Sequence, residues 1–320
     1  MDTALIVDTL LSAPVLAFAV AVLAGLARFD LRLPDTLPPI LSTFLLFAIG
    51  LKGGRSMGGA SPLELLGPLV AVLAIGVVAP LVAFAVMRGF VRLGRVDAAG
   101  VAAHYGAFST VTFIVTIAVI EDRGLPFEGL LAGLLAFDFI GIVVGLALVG
   151  AAGGTATRGG LSGTLGRILR GRSIAYILSG LVIGALAGDA RLGPIDPFFV
   201  GLFQGALVLF LLEMGAIAAE RLRTVAAVGP RLVVAAIALP LLNGTFGAGV
   251  GALIGLSTGG VLILAMLAAS SSYIAAPAAV RLALPEADPA LSITASLGLT
   301  FPFNLTVGIP LFLWVATALT

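Results

Sequence analysis

Long apolar stretches, each closed by a short cluster of glycine, proline or charge, follow one another through the whole chain. A hydrocarbon layer about 30 Å thick takes roughly 20 apolar helical residues to cross. By that measure the chain offers about ten spans, over 10–27, 37–51, 65–87, 97–120, 127–150, 172–188, 198–217, 228–255, 257–281 and 288–316. The second is short and the eighth and tenth are long, which tilt accommodates. Pro80 and Pro240 fall inside apolar runs and predict kinks. Lys52-Gly53-Gly54-Arg55 and Gly153-Gly154 read as connections, the former as an outer loop.

The segments recur in order. Phe137-Asp138-Phe139 and Phe303-Asn304-Leu305 lie 166 positions apart, and Ile49-Gly50-Leu51 and Met214-Gly215-Ala216 lie 165 apart. Ser109-Thr110-Val111-Thr112 and Ser270-Ser271-Ser272-Tyr273 lie 161 apart, with Pro126 and Pro285 following at similar distances. An odd number of spans per half makes the halves enter the membrane from opposite sides, the inverted repeat common in secondary transporters. The expected fold is an all-α polytopic membrane protein of two inverted five-helix repeats with two broken, crossing helices. The first repeat takes 1–150, a cytoplasmic linker 151–171, and the second repeat 172–320.

Composition narrows the class. Hydrophobic residues make up 60% of the chain, charged residues 10%, and mean hydropathy is +1.21. Soluble domains carry about 25% charged residues, so most of this surface meets lipid or other helices. The 42 glycines suit close helix packing. A net charge of +1 gives no reason to expect nucleic acid. With no cysteine, disulfides and thiolate chemistry are excluded, and a lone histidine, His104, argues against a histidine metal site. The first charges are Asp2 and Asp8, not a basic leader region, so no cleaved signal is expected. Connections one, three, five, seven and nine hold 13 of the basic residues and the even ones 4. The positive-inside rule then makes the odd connections cytoplasmic and points both termini outward from the plasma (inner) membrane.

Two polar runs carry the chemistry. Ser109, Thr110 and Thr112 sit mid-way along the fourth span, and Ser270, Ser271 and Ser272 mid-way along the ninth, with Pro277 just beyond. Hydroxyls satisfy backbone groups freed where a membrane helix breaks. Half-helix N-termini that meet near the midplane offer unpaired N–H groups and positive dipole ends, which suit an anion. Beside them, carbonyls and hydroxyls can hold a sodium ion. The plainer reading of either run is helix packing or back-bonding to the preceding turn.

Asp138 lies half-way along the fifth span, where a bare charge costs a few kcal/mol or more. It reads as a sodium ligand or proton carrier, or as a protonated partner in a helix–helix hydrogen bond. Its repeat mate Asn304, with Thr306 near it, supplies uncharged oxygen donors. Glu213 either lines the pathway or pairs with Arg221 or Arg223. His104 and Tyr105 precede the first polar run; either could line the path, and packing is the favoured reading for both.

No enzyme is expected, and no cofactor beyond a coupling ion. The chain has no GxxxxGK[ST], HExxH or GxSxG motif. His104, five residues before Ser109, is the only nearby base for an intramembrane serine nucleophile.

Leu264-Ala265-Met266-Leu267-Ala268-Ala269-Ser270-Ser271-Ser272-Tyr273-Ile274, then Pro277, Arg281, Leu284-Pro285 and Pro289, resembles the sodium-dependent bicarbonate transporter family known from cyanobacteria. Ile49-Gly50-Leu51-Lys52-Gly53-Gly54 is similar to that family's first glycine motif, and Gly106-Ala107 followed by Ser109 to its first polar run. The resemblance implies ten spans in two inverted halves, a homotrimer, and bicarbonate held between two half-helix N-termini with sodium beside it. Carried over by position, it implicates Ser109, Thr112, Ser270, Ser271 and Ser272. The cyanobacterial form has an Asp directly after the triple serine, an evident sodium ligand, where this chain has Tyr273. The resemblance therefore leaves sodium stoichiometry and coupling open, and Asp138 is a carboxylate that could compensate. The family's longer linker is also short here.

The expectation is a cation-coupled importer of a small anion, with bicarbonate and sodium as its partners. The anion site is Ser109, Thr110, Thr112, Ser270, Ser271 and Ser272. The cation site is Asp138, Asn304, Thr306, Ser272 and Tyr273. Alternatives on the same architecture are a proton-coupled organic-acid carrier and a cation/proton antiporter. A passive anion channel belongs to a different class.

Overall fold

The computed structural model describes residues 11–56, 66–137, 139–151, 172–223, 225 and 228–320. Asp138 and the linker over 152–171 lie outside the described residues. Every element among the described residues is helical.

The first half holds α1 (Ala13–Leu26), α2 (Leu37–Ser56), α3 (Leu66–Val86), α4 (Arg95–Gly106), α5 (Thr110–Asp122) and, after a 3-10 stretch over Gly129–Phe137, α6 (Phe139–Ala151). The second holds α7 (Arg172–Leu192), α8 (Phe203–Leu222), α9 (Pro230–Leu253), α10 (Thr258–Ala269), α11 (Ala275–Ala283) and α12 (Pro289–Leu319). Six helical stretches among the described residues are long and apolar enough to cross a membrane, and four shorter apolar helices accompany them.

Local chemistry sets the boundaries. Ser109, Ser257 and Asp288 cap α5, α10 and α12 by accepting from Thr112, Gly260 and Ala290 backbone N–H groups. Pro230 and Pro289 open α9 and α12, where a missing N–H costs nothing. The helices run on as α-helix through Pro80 and Pro240. Lys52 and Arg55 correct the outer-loop reading, because both lie within α2. Lys52 pairs with Glu121 at 2.7 Å and Arg55 with Asp196 at 2.8 Å, so each charge is neutralised on a neighbouring element.

Close pairings recur between the halves. Gly50 and Gly54 of α2 lie against Gly180 and Leu181 of α7, running parallel, so closely that any Cβ would strike backbone. Gly25 of α1 and Gly215 of α8 make the equivalent parallel contact between those two helices. Helices α3 and α4 pack together, as do α9 and α10; α4 packs on α6, and α10 on α12.

Burial places the functional elements. The window through α4 and α5 is 94% buried, whereas that through α8 and its lead-in is 22% buried. The first helix–break–helix segment is therefore wrapped by protein, whereas α8 buries one face, with Phe203, Leu207, Phe210 and Leu211. The inner faces join one large core, with Phe113, Ile114, Leu264, Leu267, Phe301 and Leu305 fully buried, and two smaller clusters flank it, one around Ile142, Leu146 and Val280 and one around Met87, Val101 and Leu239.

Candidate functional site

Both polar runs fall at interruptions. Helix α4 ends at Gly106; Ala107 is extended, Ser109 is the N-cap, and α5 begins at Thr110. Helix α10 ends at Ala269, Ser270 is extended, and α11 begins at Ala275. The two breaks lie against each other. The backbone N–H of Ser109 donates to Ser270 Oγ at 2.9 Å, and that of Ser272 donates to the His104 carbonyl at 2.8 Å. The N-terminal ends of α5 and α11 thus both start at this crossing.

Gly106 explains how the break is reached. It lies so close to Gly141 of α6 that a Cβ on either glycine would collide with the other's backbone.

The hydroxyls divide by task. Ser109 Oγ accepts from Thr112 N–H at 3.3 Å and Ser272 Oγ from Ala275 N–H at 3.3 Å, so each caps the half-helix that follows it. Ser270 Oγ donates to the Leu267 carbonyl at 2.7 Å and closes α10. Ser271 Oγ donates to Ser296 Oγ at 2.9 Å, and Ser296 passes its own hydrogen to the Ser292 carbonyl at 2.6 Å. Ser109, Thr112, Ser270, Ser271 and Ser272 are all at most 3% exposed; Thr110 is half-buried at the first position of α5.

Helix α12 supplies a polar rail of which sequence reading picked out only Asn304. Ser292, Ser296, Thr300 and Asn304 recur every four residues, each 2% exposed or less. In an ordinary α-helix that spacing drifts by about 40° per step. Here wide π-type turns over Thr294–Thr300 and Asn304–Gly308 hold more residues per turn and keep the rail facing the breaks. Thr300 Oγ1 shares a 2.6 Å hydrogen bond with the Tyr105 hydroxyl, and Asn304 Nδ2 donates to the Ala269 carbonyl at 2.9 Å. The four-residue spacing was the available signal.

The cation candidates separate. Asn304 is wholly buried beside the second break, and its Oδ1 accepts no hydrogen bond from the described residues. Thr306 Oγ1 turns back to the Pro302 carbonyl at 2.8 Å, so it serves its own helix. The Tyr273 hydroxyl lies 3.8 Å from Met214 Sδ.

Two cavities approach the crossing from opposite ends. One of about 540 Å³ runs from Pro38 and Tyr176, near the starts of α2 and α7, past Phe210 and Met214 to Tyr273 and Ile274. It is mostly apolar, and it opens toward the end carrying Arg32 and Arg221. The other, about 270 Å³, lies among Pro14, Val119, Asp122 and Gln204 at the opposite end. An aromatic layer adjoins the larger cavity at Tyr273: Phe18 meets Phe301 edge-on at 5.3 Å, and Phe301 meets Tyr273 at 5.4 Å.

Glu213 sits behind the larger cavity, one residue before Met214. Its partner is Arg32, at 2.9 Å, which corrects the expected pairing with Arg221 or Arg223. Its other oxygen accepts from Leu33 N–H at 2.7 Å. The connection between α1 and α2 is thereby tied to α8. Arg32 also reaches Glu220 at 3.0 Å. Partial burial works against the Arg32 charge, but the two carboxylates outweigh it and hold its pKa above the ordinary value.

A family model described as the Na+-dependent bicarbonate transporter superfamily matches residues 13–317 of the 320. No curated protein matches the chain.

Proposed function

Because the chain belongs to the Na+-dependent bicarbonate transporter superfamily, we propose that it imports bicarbonate together with sodium by alternating access. The family is one of transporters, not an enzyme class, and the apolar helices suit an integral membrane protein. The observation that carries the reading is the contact between the breaks, in which Ser109 N–H meets Ser270 Oγ and Ser272 N–H meets the His104 carbonyl.

In this reading the chain crosses the membrane about ten times as two inverted repeats. The recurrence of the α2–α7 pairing as α8–α1, and of α3–α4 as α9–α10, supports it. The first N–H groups of α5 and α11 have no partner within their own helices and present positive dipole ends. A planar anion seated between them needs no basic side chain. Ser109, Thr110, Thr112, Ser270, Ser271 and Ser272 line that seat. A sodium ion alongside takes Asn304 Oδ1, whose lone pairs meet no donor among the described residues, with Asp138 as the charged ligand from the equivalent position of the first repeat.

The chemistry of binding is electrostatic and reciprocal. The cation offsets the negative guest in a medium where charges interact strongly, so each raises the other's affinity. Movement follows from the division of the molecule. Helices α1, α2, α7 and α8 make the parallel, glycine-packed frame, and the broken helices with α3, α6, α9 and α12 move against it. The larger cavity lies between the two groups, among α2, α7 and α8 on one side and Tyr273, Ile274 and Leu297 on the other.

The test is uptake of radiolabelled bicarbonate into proteoliposomes under an imposed sodium gradient, an imposed proton gradient, or neither. Accumulation with sodium alone is expected. Accumulation with the proton gradient alone transfers the reading to a proton-coupled carrier, and flux at channel rates without any gradient dependence ends it.

A further inference from the structure

A third cavity, of about 140 Å³, lies between α4, α11 and α12, apart from the one that reaches Tyr273. His104 and Arg281 line it, with Pro277, Val280, Pro285 and Ile293 as its apolar walls. His104 is 1% exposed. Its Nδ1 stands 2.8 Å from the Gly100 carbonyl. A carbonyl only accepts, so Nδ1 carries the hydrogen of the neutral ring and Nε2 is left with a lone pair. That Nε2 is buried and meets no hydrogen-bond partner among the described residues. Arg281 is exposed and brings five fixed donors to the same space.

The two groups ask for complementary things. Arg281 seeks an anionic oxygen, and the neutral His104 ring seeks a hydrogen to accept. An anion with oxygens only would satisfy the guanidinium and leave Nε2 facing another lone pair. The volume equals that of about four to five liquid waters, enough for an anion of four heavy atoms.

We propose that this cavity is a second anion site, which holds a small oxyanion that keeps a hydroxyl hydrogen, its charged end at Arg281 and its O–H donated to His104 Nε2. Hydrogen carbonate meets that description; choosing it as the ligand rests on the transport reading, whereas the cavity's chemistry does not. The site adjoins the break through one residue, because the His104 carbonyl accepts the Ser272 N–H. It lies at the Arg281 end of α11, beyond the transport seat on the way to the basic face.

Infrared difference spectra of membrane-reconstituted protein, perfused alternately with 12C- and 13C-bicarbonate, measure bound ligand even when binding is weak. The expected wild-type signal corresponds to two ions per chain. Arg281→Gln, a surface change that leaves the fold intact, and His104→Gln should each remove about half of it; Ser271→Ala should remove the other half. Nitrate, of the same shape but without a hydrogen, should displace the His104-dependent half about tenfold less well than bicarbonate itself does, the factor expected for one lost hydrogen bond. A single ion per chain, lost in Ser271→Ala and kept in Arg281→Gln and His104→Gln, overturns the second site and leaves the transport seat standing. A single ion kept in Ser271→Ala and lost in Arg281→Gln sinks the transport seat and leaves this site. No bound signal in the wild type overturns both.

Discussion

The backbone N–H of Ser109 donates to the hydroxyl of Ser270, 2.9 Å away and 161 positions further along the chain. One hydrogen bond thereby ties the two helix breaks together. Ser270 also closes its own helix by donating to the Leu267 carbonyl, so its one hydrogen is already spoken for. Ser271 is differently placed: among the described residues its hydroxyl meets only Ser296 Oγ, another hydroxyl that can rotate toward a guest.

Ser271→Ala should therefore lower bicarbonate uptake about tenfold or more, the range for losing one hydrogen bond to a charged group. Ser109→Ala should lower it as well, by uncapping α5. Expression and monodispersity should match wild type. Unchanged radiolabelled flux in proteoliposomes would remove both hydroxyls from the seat.

Asn304→Leu should weaken sodium activation, because it replaces Oδ1 with carbon at similar bulk, at the further cost of the Nδ2 bond to the Ala269 carbonyl. Asp138→Asn should do the same from the first repeat. The check is the sodium concentration for half-maximal uptake, expected to rise about tenfold for one lost ligand interaction. An identical sodium response in both variants would eliminate this cation site.

Phe301→Ala should extend the larger cavity past Tyr273 toward Phe18. Phe301 is the middle member of the aromatic layer, touching Phe18 on one side and Tyr273 on the other. Uncoupled sodium leak should appear in liposomes without bicarbonate. Tight liposomes would show that other side chains form the barrier.

Glu213→Gln should loosen the connection between α1 and α2, since it removes one of the two charges that hold Arg32, leaving Glu220, and weakens the acceptor for Leu33 N–H. Thr43 lines the larger cavity. The chain has no cysteine, so Thr43→Cys reports on that cavity without background. Labelling by an impermeant maleimide should be severalfold faster with Glu213→Gln than without it. Equal rates would make the pair a static anchor.

Gly141→Val should destabilise the protein, since its side chain must displace the backbone at Gly106. Overpacking of this kind costs about 1–3 kcal/mol or more. A lower melting temperature in detergent, with loss of uptake, is the expected result; wild-type melting would mean that α4 and α6 part easily.

Several of these features were visible in the residues alone. The triple serine at 270–272 and the Ser109-Thr110-Val111-Thr112 run marked both interruptions because hydroxyls are costly along an apolar helix unless they serve the backbone. Ser296 and Thr300 escaped notice because a four-residue spacing looks incidental until π-type turns bring it into line. Lys52 and Arg55 misled because charge flanked by glycine resembles a loop; in fact Gly50 and Gly54 let α7 approach, and each charge finds a carboxylate on a distant element. Glu213 misled for the opposite reason. Arg221 was near in sequence, but Arg32 was near in space, and no local pattern reveals a partner 181 positions away.

The near-complete enclosure of α4 and α5 has a bearing on biogenesis. A ribosome feeding this chain into a bilayer delivers the Ser109 amide long before Ser270 exists. Until the second half arrives, that amide and the neighbouring hydroxyls need water, lipid headgroups or an insertion chaperone. The native bundle can close only after synthesis is nearly finished, and an isolated first half should be cleared by membrane proteases.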